Sequence, residues 1–226
     1  MKRTLSALIA GIDEAGRGCV VGPLVIAGFM IAEENLPVLA QLGVKDSKLL
    51  SPKKREALSK EITRVAEKHY VVKLAPSEID RAVESKRKLH KLNRLEAQTM
   101  AHIINTLKPD QAYVDAADVL ENRFKYHIQE RLTVKANITS RHKADKIFPV
   151  VSAASIIAKV ERDSEIAVLR GDYGDFGSGY LTDQKTMRFL KQWLQTHDEY
   201  PDCVRKSWKP AKQVKNEKGT VQKKLG

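Results

Sequence analysis

The stretch that most constrains this chain is Gly11-Ile12-Asp13-Glu14-Ala15-Gly16-Arg17-Gly18, where an apolar run meets two adjacent carboxylates and then a glycine-rich turn. Upstream, Ala7-Leu8-Ile9-Ala10 has the short, bounded apolar pattern of a buried strand. In a regular strand neighbouring side chains leave by opposite faces, so Asp13 and Glu14 serve one site only if the strand ends there. Gly16 and Gly18 predict that it does. Glycines let the backbone approach a ligand closely, and Arg17 between them carries a fork of donors suited to phosphate. An isolated Asp-Glu pair is ordinarily a solvated turn. Apolar flanks on both sides turn this one toward a ligand-binding or catalytic role.

Ala112-Tyr113-Val114-Asp115 repeats the pattern: a short apolar strand delivers a carboxylate at its C-terminal end, the place where open α/β sheets bind ligands. Asp118 is the rival carboxylate, and it reads as the N-cap of a helix from Val119 to Leu132. A strand near Thr133 to Thr139 leads to Arg141-His142-Lys143-Ala144-Asp145, with Pro149 near the start of a long helix. Asp145, just ahead of that helix, reads equally as a dipole partner and as a ligand. His142 reads as solvent- or phosphate-facing, because no second histidine lies close in sequence to complete a metal pair. Ala153, Ala154 and Ala158 make the helix small enough to pack tightly on a sheet. Lys159 and Arg162-Asp163 suit phosphate contacts and internal salt bridges equally.

Between these blocks, Val20 to Ala32 reads as a strand or strand pair, bent at Gly22-Pro23 and Gly28 and paired with the first strand. Asp46-Ser47-Lys48 lies in a loop. Ser51 as N-cap and Pro52 at the first position open a helix to about His69, followed by a strand from Tyr70 to Leu74. A basic stretch, Ser85 to Lys91, precedes a helix from Leu92 to Leu107 that carries Asn93 and Glu96 on one side. Asp172 to Leu181 is a glycine-rich loop, Asp183 to Thr196 a helix, and Arg205-Lys206-Ser207-Trp208-Lys209 a basic segment with one aromatic. From Lys209 onward six lysines against one glutamate give +5 with almost no apolar content, the composition of a flexible tail.

With 226 residues, 42% hydrophobic and 30% charged, the chain has a soluble globular composition and suffices for one large domain or two small ones with a sizeable core. A net charge of +12 favours a polyanionic partner such as nucleic acid. Met1-Lys2-Arg3 before an apolar run imitates a secretory signal, but the run meets Asp13-Glu14. Cys19 to Ala32, the longest uncharged run, is too short to span a bilayer. Two cysteines make neither a close-spaced metal motif nor a disulfide scaffold, so the expected setting is cytoplasmic and reduced, with no membrane partner. Carboxylates from separate strand ends, without a histidine pair, favour Mg²⁺ or Mn²⁺ over zinc. Two such ions about 3.5–4 Å apart activate water and stabilise the leaving oxygen of a phosphodiester.

Gly11 to Gly18, followed by Val21-Gly22-Pro23-Leu24-Val25, resembles the opening signature of type 2 ribonucleases H, the ribonuclease HII family. Asp46 to Leu50, Val114-Asp115-Ala116-Ala117-Asp118, the block from Lys143 through Val151-Ser152-Ala153-Ala154-Ser155 to Asp163, and Gly177-Ser178-Gly179-Tyr180 follow in the same order. The wording is most similar to the archaeal branch. The resemblance implies a ribonuclease H-like three-layer fold with a mixed central sheet flanked by helices. It divides the chain into a catalytic domain (1–172), a C-terminal helical portion completing the substrate groove (173–208) and the tail (209–226). It assigns two Mg²⁺ or Mn²⁺ ions to Asp13, Glu14, Asp115 and Asp145, with Asp13 bridging them. Substrate contacts fall to Gly16, Arg17, Gly18, Ser47, Lys48, Asn93, His142, Lys143, Lys159 and Tyr180. The implied reaction is endonucleolytic hydrolysis of RNA in RNA–DNA hybrids and at ribonucleotides in duplex DNA, by a monomer. Type 3 ribonucleases H, with an added N-terminal domain and a glutamate as fourth acid, match less well. A non-catalytic nucleic-acid-binding protein would explain the charge but not the four acids. Gln222-Lys223-Lys224-Leu225 resembles half of a sliding-clamp binding motif without its aromatic pair, which counts against a clamp partner.

Overall fold

The computed structural model describes residues 6–44, 50–86 and 89–225. Among these residues the apolar runs form β1 (Leu8–Ala15), β2 (Leu24–Ala32), β3 (Lys68–Leu74), β4 (Gln111–Asp115) and β5 (Asn137–Arg141). They make one mixed sheet in the order β3-β2-β1-β4-β5. β1 runs antiparallel to β2 and parallel to β4, and β4 runs parallel to β5. Helices α1 (Leu36–Gln41), α2 (Pro52–Val65), α3 (Pro76–Glu84), α4 (Lys91–Leu107) and α5 (Glu121–Gln129) connect and follow the strands. The chain continues through α6 (Ala144–Ile147), α7 (Pro149–Tyr173), α8 (Gln184–Thr196) and α9 (Lys209–Leu225).

Two glycines fix the layering. A Cβ on Gly11 would lie 2.1 Å from the Val150 carbonyl, so α7 rests directly on the β1 backbone there. A Cβ on Gly28, the β2 partner of Ile12, would lie 2.4 Å from Ile103 and 2.8 Å from Leu107 on α4. Gly11 and Ile12 are successive residues, so the pleat sends them to opposite faces. The sheet is therefore sandwiched between α4 and α7, the three layers that the resemblance implies.

The chain divides into two compact units. The first comprises Met1–Ala15, Val25–Val72 and Leu92–Glu161, and its core gathers Ile9, Val25, Phe29, Ile31 and the α7 residues Val150 to Ala158. The second comprises Gly16–Leu24, Lys73–Lys91 and Arg162–Gly226, with Val20, Val21, Phe176, Leu190, Cys203 and Val204 at its centre. Sequence order alone suggests consecutive parts. Instead Gly16–Leu24 joins the C-terminal segments, through bridges of Cys19 to Tyr180 and of Val21 to Val204.

Several boundaries differ from those the sequence suggests. β2 is unbroken through Gly28, because that glycine serves packing and not a bend. Helix α2 begins where Ser51 accepts from Lys54 N, as expected, but ends at Val65. The strand expected at Thr133 to Thr139 starts at Asn137. Helix α3, unforeseen, carries one buried apolar residue, Ile79, too little to stand out as a periodic signal. The stretch from Lys209 forms α9 where a flexible tail was the expectation. Ala211 and Val214, three apart, are buried in the second unit's core, and Tyr200 Oη donates to Ala211 O at 3.2 Å.

Candidate active site

β1, β4 and β5 present their C-terminal ends side by side in parallel register. Ile12 pairs with Val114, and Asp115 pairs with Arg141. Asp13 thus follows one paired position on β1, Asp115 ends β4, and Asp145 lies four residues beyond β5 in the first turn of α6. The strand does not end at the acidic pair. Pairing with β2 continues to Ala15 opposite Val25, so Asp13 and Glu14 both lie within β1 and alternate across the pleat. The expectation of a strand end there is corrected, yet the Glu14 charge still acts on Asp13.

Asp13 is 5% exposed. Its Oδ1 accepts from Glu14 N at 2.7 Å, and the Ser155 hydroxyl of α7 donates to it. Burial pushes its carboxyl well above the usual range, and the charges of Glu14 and Asp115 push it further. Asp115 is also raised, first by burial and then by the Asp145 charge, against backbone donors led by Ala144 N at 3.2 Å. Lys143, the residue before α6, adopts φ 55°, a conformation a non-glycine residue takes at some cost. It turns the Lys143 and Ala144 amides onto the Asp115 carboxylate, while its own side chain stays exposed.

Asp13 and Glu14 within β1, Asp115 at the end of β4 and Asp145 at the start of α6 form a donor set of hard oxygens that suits a divalent cation and not a soft metal. Among the described residues no three Asp, Glu, His or Cys side chains are already gathered closely enough to hold an ion. They act on one another by charge.

Asp118 behaves in the opposite way. It is almost wholly buried, yet Arg123 grips it with Nε at 2.9 Å and a second, shorter contact through Nη2. Leu120 N donates at 3.0 Å, and the Asn93 carboxamide adds a further hydrogen bond. These donors, Arg123 foremost, hold its carboxyl well below the ordinary range. Asp118 is not a helix cap, since α5 begins at Glu121 with Leu120 at the cap position. Asn93, expected at the substrate, is engaged here. The His142 backbone N donates to Glu121 Oε1 at 2.8 Å, and its ring Nε2 lies 3.2 Å from Val119 O. Lys159 is exposed on α7. Ser47 and Lys48 lie outside the described residues.

In the second unit, Gly16 has φ 86°, and a Cβ there would lie 2.7 Å from Pro23 O. Cys19 N donates to Gly16 O at 3.2 Å, closing a tight turn around Arg17 and Gly18. The Gly177-to-Tyr180 loop lies against this turn: Val20 N donates to Gly179 O at 2.8 Å, and the Tyr180 ring passes 3.9 Å from where a Gly18 Cβ would be. Both expected recognition segments thus sit together. Arg162 ties them, with Nη2 donating to Cys19 Sγ at 2.9 Å and to Ser178 O, and with its guanidinium 4.8 Å over the Tyr180 ring. Its other arm meets Asp163 at 3.1 Å, so the internal salt bridge is the reading that forms.

Sequence reasoning missed Arg205. Read there only as part of a basic segment with one aromatic, it is fully buried, and donates through Nε to Gly22 O at 3.1 Å, Nη1 to Arg17 O at 2.8 Å and Nη2 to Gly16 O at 2.6 Å. The available signal was its place directly behind the apolar pair Cys203-Val204 and three residues before Trp208, whose ring its guanidinium covers at 5.0 Å.

Residues 10–211 match the family model described as Ribonuclease HII. A ribonuclease HII of Thermococcus kodakarensis is 47% identical over 208 residues, covering 91% of this chain and 89% of the relative. The crystal structure of the ribonuclease H2 from Pyrococcus horikoshii superposes with a TM-score of 0.86 at 42% identity, over 93% of this chain and 98% of the other. A ribonuclease HII from Archaeoglobus fulgidus, solved in complex with PCNA, gives a TM-score of 0.81 at 44% identity, over 89% and 95%.

Proposed function

Because this chain belongs to the ribonuclease HII family, we propose that it is a metal-dependent endoribonuclease that hydrolyses the RNA strand of RNA–DNA hybrids and incises at ribonucleotides embedded in duplex DNA. The observation that carries the reading is the placing of Asp13, buried within β1, near Asp115 at the end of β4 and Asp145 in the first turn of α6, with Asp13 raised by the Asp115 charge and Asp115 by the Asp145 charge in addition to burial. Burial and like charge raise carboxyls where a function needs them, in contrast to acids that serve structure.

Asp13, Glu14, Asp115 and Asp145 would hold Mg²⁺ or Mn²⁺. What two bound ions supply is a water activated at neutral pH and compensation for charge on the leaving 3′ oxygen, giving 3′-hydroxyl and 5′-phosphate ends. The chain's own part is to orient. Ser155 and the Glu14 amide fix the Asp13 carboxylate, and the strained turn at Lys143 fixes Asp115. Gly16-Arg17-Gly18 would read the ribose 2′-hydroxyl, the group that distinguishes RNA from DNA. Tyr180, partly exposed beside that turn, would pack on the neighbouring sugar. A clamp is left out of the proposal: the complex with PCNA belongs to the Archaeoglobus relative, and Gln222 to Leu225 lacks the aromatic anchor.

The test is cleavage of an end-labelled RNA–DNA hybrid and of a DNA duplex with one ribonucleotide, with Mg²⁺, Mn²⁺ or chelator present. Metal-dependent scission at the ribonucleotide is expected. Tight binding of both duplexes without scission under any of these conditions would leave a nucleic-acid-binding protein in place of an enzyme.

A further inference from the structure

We infer that Arg205 is a positioning residue for ribonucleotide recognition: its buried guanidinium orients the two peptides of Gly16-Arg17-Gly18 so that their N–H groups face the sugar. The inference rests on the reading of that turn as the reader of the 2′-hydroxyl.

The guanidinium is a planar fork whose donor directions are fixed relative to one another. Here the fork closes on three backbone carbonyls, those of Gly16, Arg17 and Gly22, and Arg205 is also held through its own backbone N to Val20 O at 2.8 Å. Trp208 covers one face of the fork. A trans peptide is planar, with its carbonyl and its N–H on opposite sides. Fixing the Gly16 carbonyl on Arg205 therefore directs the Arg17 N–H away from Arg205. Fixing the Arg17 carbonyl does the same to the Gly18 N–H. Two successive donors then face one side of the turn, where an electron-rich oxygen can accept from both.

Burying a full charge among carbonyl dipoles is a poor way to gain stability, since apolar packing of the same volume commonly does as well. What the fork gives that apolar packing cannot is direction. The positive φ of Gly16 and its closeness to Pro23 O belong to the same device, because they keep the turn in the one conformation the fork can grip. The arrangement also makes the reading independent of the Arg17 side chain, which takes no part in the three contacts. Lysine cannot replace the fork, because an ammonium is a compact point charge without its spread of fixed donors.

The experiment measures binding of two fluorescent DNA duplexes in Mg²⁺, identical except for one ribose or deoxyribose, to the Asp13→Asn protein with and without Arg205→Lys. Arg205→Lys should lower the preference for the ribose duplex by about tenfold, the worth of one to two neutral hydrogen bonds, while affinity for the all-DNA duplex stays unchanged. A retained preference, or an equal fall on both duplexes, would overturn the positioning role and leave Arg205 as a structural residue. A parent protein without ribose preference would sink the reading of the turn itself. Should Arg205→Lys fail to fold, Trp208→Leu removes the covering ring and leaves the fork's donors. It should lose part of the preference, and full retention there would count against the proposal equally.

Discussion

Asp13 and Asp118 are both buried aspartates of the first unit, and their environments point opposite ways. Asp118 is enclosed by Arg123, the Leu120 amide and the Asn93 carboxamide, and its carboxyl is held low. Asp13 has only the Ser155 hydroxyl and the Glu14 amide as donors, and burial first, then the charges of Glu14 and Asp115, push its carboxyl high. A buried charge that the protein satisfies itself is part of the architecture, as Arg205 is in the second unit. A buried carboxyl surrounded by its own sign either keeps its proton or gives it up to a cation that takes its place. Asp118 follows Asp115 by only three residues, so proximity in sequence does not separate a structural acid from a candidate ligand. Hydrogen-bond donors do.

The largest effect that bears on this contrast is loss of cleavage in Asp13→Asn and Asp115→Asn. Each should fall on the order of 10³-fold, the several kcal/mol a positioned cation supplies, with hybrid binding largely kept. In the absence of metal, Asp13→Asn should melt higher than the unmodified protein, because a buried like charge is removed. Mn²⁺ should raise the melting temperature of the unmodified protein and should not raise that of Asp13→Asn. Near-normal cleavage by Asp115→Asn at saturating Mg²⁺ would transfer the role to Asp118 and dissolve the comparison.

The strands at β1 and β4, the placing of Asp115 at a strand end and the glycine turns were legible because each is local: an apolar run, a carboxylate closing it, a glycine pair. Asp115 needed only Ala112 to Val114 before it. What stayed illegible depends on how side chains fold back on one another, most often from places distant in the chain. That Asp118 is an ion-pair residue depends on Arg123 folding back and on Asn93 arriving from α4. That Arg205 is buried depends on carbonyls some 180 residues earlier. Gly28 reads as a bend in a strand and Gly11 only as the start of a motif, and the tertiary packing of α4 and α7 shows both as places where a side chain would collide with a helix. The order in α9 was missed for the same reason, since two apolar residues in a lysine-rich segment say little until Tyr200 is beside them.

A smaller effect sharpens the other half of the contrast. Asp118→Asn should lower the melting temperature, because Arg123 is left without its counter-charge. The loss should be smaller than for a fully buried pair, because the Arg123 left behind reaches water, its side chain being 31% exposed. The loss should be the same with and without Mn²⁺. Asp118→Asn that lost its metal-dependent stabilisation along with its basal stability would place Asp118 among the ligands, against the geometry of its donors.

The smallest effect appears only in alkali and tests whether the second unit's core holds its polar groups neutral. Burial, helped by the charges of Asp202 and Asp172, pushes the Cys203 thiol from 9.0 up to about 12. Burial, with Glu217 behind it, takes the Tyr200 hydroxyl from 10.0 to about 12. Both groups keep a proton in the folded protein that the unfolded chain releases, so folding stability is undiminished below the unfolded values. It falls as pH rises from about 9 through about 12, where the unfolded state gains by ionising. Thermal melts should therefore be insensitive to these groups at neutral pH and decline above pH 9, with lysine ionisation adding to the decline in every variant. Comparison with Cys203→Ala removes that common part: the substituted protein should start lower, from the lost packing, and should decline later, once Tyr200 takes over near pH 10. Parallel decline of the two proteins from pH 9 upward would mean that the thiol ionises within the fold, and that the core around Val20, Val21 and Val204 admits a charge it has no means to satisfy.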